Sequence, residues 1–131
     1  MGCDIHLHVE AKYNDEWIHW AAPNVDRNYT LFSKMAGVRG NENPISLPKG
    51  FPKDANITTR LNYETGEYYH SVSWLSLEEV KELEEWIRSR GKWPDNDLEY
   101  GTLKGTYLFG NSLCVPARKI TDIRFVFWFD N

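Results

Sequence analysis

The sequence predicts an α+β domain: an antiparallel or mixed β-sheet with one long helix, one short helix and a long Pro/Gly-rich loop. Three stretches carry that expectation. "GCDIHLHVE" (2–10) alternates polar and apolar side chains with the period of two that marks a strand. "SLEEVKELEEWIRSRG" (76–91) has helical spacing and helix caps, and "DIRFVFWFDN" (122–131) is a near-continuous apolar run suited to a central strand. Strands and helices in separate runs pack as a sheet with helices laid over it. At 131 residues the chain reads as one domain, 1–131, able to bury a core without metal or disulfide staples.

The opening strand runs to about Lys12. "YNDE" (13–16) supplies turn residues, and "WIHW" (17–20) resumes the alternation, which predicts a β-hairpin. "AAPNVDRN" breaks the pattern. In "YTLFSKMAG" (29–37), Leu31, Phe32 and Met35 stand at helical spacing before Gly37, a helix stop, so this is the short helix.

Residues 38–56, "VRGNENPISLPKGFPKDAN", hold three prolines and two glycines without any period. A loop of that length in a compact domain is often a binding loop or lid. "ITTRLNYETGEYYHSVSW" (57–74) reads as a second hairpin around Gly66. In the long helix Ser76 caps, Glu79 closes a capping box and Gly91 ends the segment; Leu77, Val80, Leu83 and Ile87 form the buried stripe. Trp86 and Arg90, four apart, can stack on each other. "KWPDND" is a connector, and the Gly-punctuated "EYGTLKGTYLFGNSL" is irregular or holds short strands. In the closing run Ile123, Phe125, Phe127 and Phe129 share one face, opposite Arg124, Val126 and Trp128.

Composition narrows the function classes. A formal net charge of −4 disfavours a protein that coats duplex nucleic acid, while leaving room for small anionic ligands held by a local group of cations. Aromatic residues make up 15% of the chain, including six Trp, and such rings fill cores or stack on flat ligands. Cys3 and Cys114 form no disulfide framework and no C-x-x-C pair, which fits free thiols in a reducing compartment. No apolar run approaches the roughly 20 residues that span a bilayer. "MGCDIH" lacks the basic and apolar regions of a signal peptide, so a cytoplasmic location and no membrane partner are expected.

Read as a strand, residues 2–10 send Asp4, His6, His8 and Glu10 to one side. Three chemistries fit this row. It can be a polar face that meets solvent or pairs with Arg124 and its neighbours. As a divalent-metal site, His6 and His8 stand about 7 Å apart by strand rise, flanked by Asp4 and Glu10 and joined by His19 or His70. As a hydrogen-bonded cluster, a carboxylate orients an imidazole toward a ligand or toward His70 and Ser71. A second group, Arg27, Arg39, Lys49, Lys53 and Arg60, lies in or beside the long loop. Arginine grips phosphate oxygens in a planar fork, and Tyr29, Phe51 and Trp74 offer stacking surfaces for a base. "GNENPISLPKG" is no P-loop, "GTLKGTYLFG" misses the dinucleotide fingerprint, and no G-x-S-x-G nucleophile motif is present.

At "GCDIHLHVE", "RNYTLFSKMAGVRG", "HSVSWLSLEEV" and the terminal "VFWFDN", the chain resembles, end to end, a family of uncharacterised proteins from bacteriophage and prophage genomes. The positions that carry the resemblance are Asp4, His6, Glu10, Arg27, Tyr29, Phe32, Arg39, His70 and Ser71; Gly40 departs from the pattern, where Asn is usual, though Asn41 follows. The resemblance implies a setting, the cytoplasm of an infected or lysogenic bacterial host, and no activity. In that setting the expected function is anti-defence: binding and sequestering a small nucleotide-derived immune signal, a cyclic nucleotide or ADP-ribose derivative, without turnover and without a cofactor. The expected ligand-binding residues are Asp4, His6, Glu10, Arg27, Tyr29, Arg39, Lys49, Phe51, His70 and Ser71. Two alternatives stand beside it: a metal-dependent phosphodiesterase using Asp4, His6, His8 and Glu10, and an inhibitor that binds a host protein directly. Homo-oligomerisation is compatible with all three.

Overall fold

The computed structural model describes residues 2–90 and 119–131. Gly91, the 92–97 connector, the Gly-punctuated stretch and Cys114 lie outside the described residues. The elements follow in the order β1 (Asp4–Tyr13), β2 (Glu16–Ala21), α1 (Tyr29–Ala36), α2 (Ile57–Glu64), β3 (His70–Leu75), α3 (Leu77–Ser89) and β4 (Asp122–Asp130). The strands form one antiparallel sheet of order β2-β1-β4-β3, so the fold is α+β with the apolar closing strand at a central position.

Local chemistry accounts for most of these elements. Asn14 and Asp15 turn the β1–β2 hairpin with φ of 49° and 63°, a left-handed conformation that Asn and Asp tolerate and that matches strand twist. The Asn28 side chain accepts from Leu31 N to start α1, and Gly37, at φ 74°, ends it. Ser76 and Glu79 form the expected capping box on α3, whose acidic first turn suits the helix dipole. Ile5, Leu7, Val9, Ala11, Leu75, Phe125, Phe127 and Phe129 meet Leu31, Phe32 and Met35 of α1 and Val80, Leu83 and Ile87 of α3 in the main core. The Arg90 guanidinium lies over the Trp86 ring, 5.0 Å from its centroid.

The expected hairpin over 57–74 is corrected by the structure: its first half is α2, and only its second half, β3, is a strand. The β-branched Ile57, Thr58 and Thr59 read as strand formers, but the Asn56 side chain accepts from Thr58 N at 2.8 Å and opens a helix instead. Tertiary packing then holds it, since Tyr63 of α2 lies edge-on to Trp128 at 5.0 Å and stacks on Phe51 at 4.7 Å. Gly66 follows because a Cβ there would meet the Tyr69 ring at 2.1 Å.

Segment 38–56 has no regular structure, yet it is tied down. Ile45 N donates to Lys34 O, Lys49 N to Ser73 Oγ and Gly50 N to Val72 O. The segment continues into α2, and Phe51, Tyr63 and Tyr69 cover Trp128 on the sheet face opposite the main core. Both faces of the sheet are therefore covered, and Trp128 and Val126 are buried on the second. Among the described residues, no helix is long and apolar enough to cross a membrane.

Candidate functional site

The polar row of β1 does not stay together as one site. Successive same-side residues of a strand are nearly 7 Å apart, so Asp4 and Glu10 stand roughly 20 Å from each other along it. Each member meets a different neighbourhood.

Glu10 is fully buried against Arg124, itself 5% exposed. Its Oε1 accepts from Arg124 Nε at 2.8 Å and lies 2.6 Å from Nη2, while Oε2 accepts from Asn56 N at 2.8 Å. Arg124 also donates to Asp54 Oδ1 at 2.9 Å and lies 4.0 Å over the Trp17 ring. For Asp54, burial alone would raise the pKa, but the bond from Arg124 and its charge outweigh it and the carboxyl titrates low. This pair holds the start of α2 to the sheet.

His8 is buried on Trp128, with ring centroids 4.9 Å apart, and its Nδ1 lies 2.9 Å from His19 Nε2. One imidazole donates and the other accepts. Burial first, then the neighbouring His19 and His6, lower the pKa of His8 to about 4; burial also lowers that of His19. His19 therefore meets the row at His8, as a hydrogen-bonded pair. Among the described residues no group of three or more His, Cys, Asp or Glu side chains is arranged to hold a metal ion.

Asp4 and His6 belong to the opposite end of the sheet, where the remaining predicted residues gather. In the β1–β4 register Asp4 faces Asp130 and His6 faces Trp128, and His70 of β3 faces Phe129. His6 Nε2 bonds to Asp130 Oδ2, and its ring lies 5.1 Å from Tyr69. Arg27 grips Asp4 with two bonds of 2.7 and 3.1 Å, which hold the Asp4 carboxyl below its ordinary pKa. Tyr29, first residue of α1, accepts from Cys3 N at 3.1 Å, and the Arg39 guanidinium lies 5.5 Å over its ring. Arg39 Nη2 donates to Asn131 Oδ1 at 3.3 Å. His70 Nε2 meets the same oxygen at 3.2 Å, and its Nδ1 lies 3.0 Å from Ser71 Oγ. Arg39 and Ser71 hold φ of 61° and 55°, a region costly for side chains of either kind. Ser71 sits where the β3–β4 register is broken between His70 and Ser73, and such a bulge re-aims the side chains it carries.

Of the residues singled out in the sequence, Asp4, His6, Arg27, Tyr29, Arg39, His70 and Ser71 thus lie at one end of the sheet, from β1, the approach to α1, the turn after it and β3, with His6 on the Trp128 face and His70 on the Phe129 face. Glu10, Lys49 and Phe51 do not join them. Lys49 pairs with Glu79 and lies 3.9 Å over Trp74, and Phe51 packs between Tyr63 and Arg60. At Glu79, burial is outweighed by the bonds from Lys49 and Ser76, so its pKa is lowered. Sequence reasoning missed Asp130, Asn131 and Tyr69. A signal existed for the first two: an apolar strand that ends in adjacent Asp and Asn delivers polar side chains to both faces of its terminus. No family model, curated protein or solved structure matches the chain.

Proposed function

We propose that this protein binds a small phosphorylated ligand of the nucleotide class at the sheet end built by Asp4, His6, Arg27, Tyr29, Arg39, His70, Ser71, Asp130 and Asn131, and retains it. The observation that carries the reading is the convergence itself. Two arginines, two imidazoles and aromatic rings from separate segments meet around strand termini, the usual place for a ligand at a sheet's edge. The Arg27–Asp4 pair is half exposed, at 56% and 50% of the side chains. A rim pair of this kind is screened by solvent and contributes little, so a phosphate replaces the Asp4 carboxylate on the guanidinium at little cost. Arg39 supplies a second cation, Tyr29 and Tyr69 supply stacking faces, and His6 and His70 supply directed hydrogen bonds. In the bacteriophage setting implied by the resemblance, such a binder sequesters a nucleotide-derived immune signal in the host cytoplasm, with Glu10, Lys49 and Phe51 bracing the fold around it.

One observation favours a protein partner instead. Ile57 and Leu61, four apart on α2, are 62% and 52% exposed, and Tyr68 is 89% exposed nearby in sequence. The experiment that separates the readings uses purified protein and a panel of cyclic dinucleotides and ADP-ribose derivatives, with and without divalent metal. Excess ligand is removed, the protein is heat-denatured and the released material is identified by mass. Intact ligand in stoichiometric amount, lost on Arg27→Ala, supports sequestration. Products that accumulate with time and vanish on chelation would transfer the case to a metal-dependent phosphodiesterase. Recovery of nothing from the panel, with an Ile57/Leu61-dependent complex with one host polypeptide, would overturn the proposal in favour of the inhibitor.

A further inference from the structure

The direction of the hydrogen bonds around Asn131 selects the tautomer of a neighbouring neutral imidazole. Arg39 Nη2 and His70 Nε2 both reach Asn131 Oδ1, at 3.3 and 3.2 Å. A guanidinium only donates, so the Asn131 atom it meets is the carbonyl oxygen; a flipped amide would turn its NH2 toward another donor. An acceptor at that point makes His70 Nε2 the donor. In the neutral ring Nδ1 is then unprotonated, and it lies 3.0 Å from Ser71 Oγ. The Ser71 hydroxyl therefore donates to His70. Nucleophile, base and orienting group stand in the order that activates a serine, with the third group fixing the tautomer of the second.

From this relay we infer that Ser71 is a nucleophile toward phosphoryl electrophiles, with His70 as its general base and Asn131 as a positioning residue. The backbone supports the assignment. Ser71 holds φ 55° inside the irregular β3–β4 pairing, where a glycine would be relaxed and a serine is strained. A strained position that keeps a hydroxyl beside an imidazole is one whose side chain has a use. The guanidinium of Arg39, on the same Asn131 oxygen as His70, brings positive charge to the neighbourhood in which a phosphoryl group gains negative charge.

In the step, Ser71 Oγ attacks phosphorus and an O–P bond forms. The bond from phosphorus to its leaving group breaks, and that group departs with the electron pair. The hydroxyl proton passes to His70 Nδ1, leaving an imidazolium whose Nε2–H stays on Asn131. The covalent product keeps the phosphoryl fragment on the protein. The inference goes beyond the binding reading and stands without it, because this chain's own side chains form the relay.

Diisopropyl fluorophosphate is the probe, since its leaving group is fluoride and it needs no nucleotide recognition. The full chain is treated across pH 5 to 9, and adducts are followed by intact mass and located by peptide mapping. One adduct on Ser71 is expected, at a rate that rises with pH through an imidazole titration and then levels. Ser71→Ala and Ser71→Gly abolish it, and the glycine variant, relaxed at φ 55°, melts no lower than wild type. His70→Gln slows labelling about 100-fold or more and removes the inflection. Asn131→Leu slows the rate, and Asn131→Asp, which keeps an acceptor for His70 Nε2, restores it. Absence of a Ser71 adduct, an adduct at another residue, or a rate indifferent to His70→Gln overturns the inference. A failed nucleotide panel with intact Ser71 labelling removes only the binding reading.

Discussion

Replacing Glu10 by Gln removes one charge from the interior without changing the shape of the side chain. Glu10 is 0% and Arg124 5% exposed, and the carboxylate meets Arg124 Nε, Arg124 Nη2 and Asn56 N. A glutamine keeps one oxygen and turns an NH2 toward groups that can only donate. Breaking one side of a buried ion pair costs about 3–5 kcal/mol, chiefly by stranding the remaining charge. Arg124 retains Asp54, 2.9 Å from its Nη1, which leaves the guanidinium partly compensated, so the loss falls near the lower bound, about 3 kcal/mol. With a urea dependence of about 2 kcal/mol per molar, the unfolding midpoint drops by about 1.5 M. Tryptophan fluorescence in urea at pH 7 measures it. The double variant Glu10→Met/Arg124→Met, which strands no charge, recovers most of the loss. If Glu10→Gln costs less than about 1 kcal/mol, the carboxylate is not committed to Arg124, and its place among the ligand-binding candidates must be restored.

Acid provides a second test, through His8. Its pKa is about 4 in the folded chain against an ordinary 6.5, so between those values the unfolded chain takes up a proton that the folded chain refuses. The His8 contribution is flat above pH 6.5 and falls by about 3 kcal/mol as the pH drops to 4; urea curves at pH 7, 6, 5 and 4 follow the decline, and His8→Gln makes it shallower. Gly37→Ala places a side chain at φ 74° on the C-terminus of α1 and lowers stability by about 1 kcal/mol, read from the thermal midpoint. Arg27→Ala has the opposite profile. Its half-exposed pair with Asp4 is screened by solvent, so folding is nearly untouched while nucleotide retention after gel filtration drops at least tenfold.

The physical reason some features were legible in the sequence, and others not, lies in how local their causes are. The hairpin at Asn14–Asp15, the Ser76 cap, Gly37 and the apolar rhythm of β4 act within a few residues, and the structure has all of them. Helix α2 has no such stripe; Thr59 is its one fully buried residue, and Tyr63 needs Trp128, which lies sixty-five positions away in the sequence. The long loop was expected as a cover because its composition has no period, yet composition does not reveal that Ser73 and Val72 receive its backbone amides. For the candidate site, side-chain alternation placed Asp4, His6 and Glu10 on one face but says nothing of distance along it. The roughly 20 Å from Asp4 to Glu10 separates a sheet-end cluster from a buried brace.

The left-handed residues separate backbone needs from side-chain needs. Among the described residues, the non-glycine positions with positive φ are Asn14, Asp15, Arg39, Tyr68 and Ser71. At Asn14 and Asp15 the conformation is what a two-residue hairpin requires, and these are the residue types that adopt it cheaply. Arg and Ser have no comparable tolerance, and each loses about 1 kcal/mol or more relative to glycine in the same place. Folding alone would be better served by glycine at both positions. Something that a side chain does must offset the strain. Both side chains lead to Asn131: Arg39 directly, and Ser71 through His70. Two strained residues, from segments on either side of α2, thus converge on one amide at the end of the central strand. A site whose side chains matter more than the comfort of their backbone would produce that coincidence, and it favours this end of the sheet for the proposed site over the buried His8–Glu10 stretch of β1.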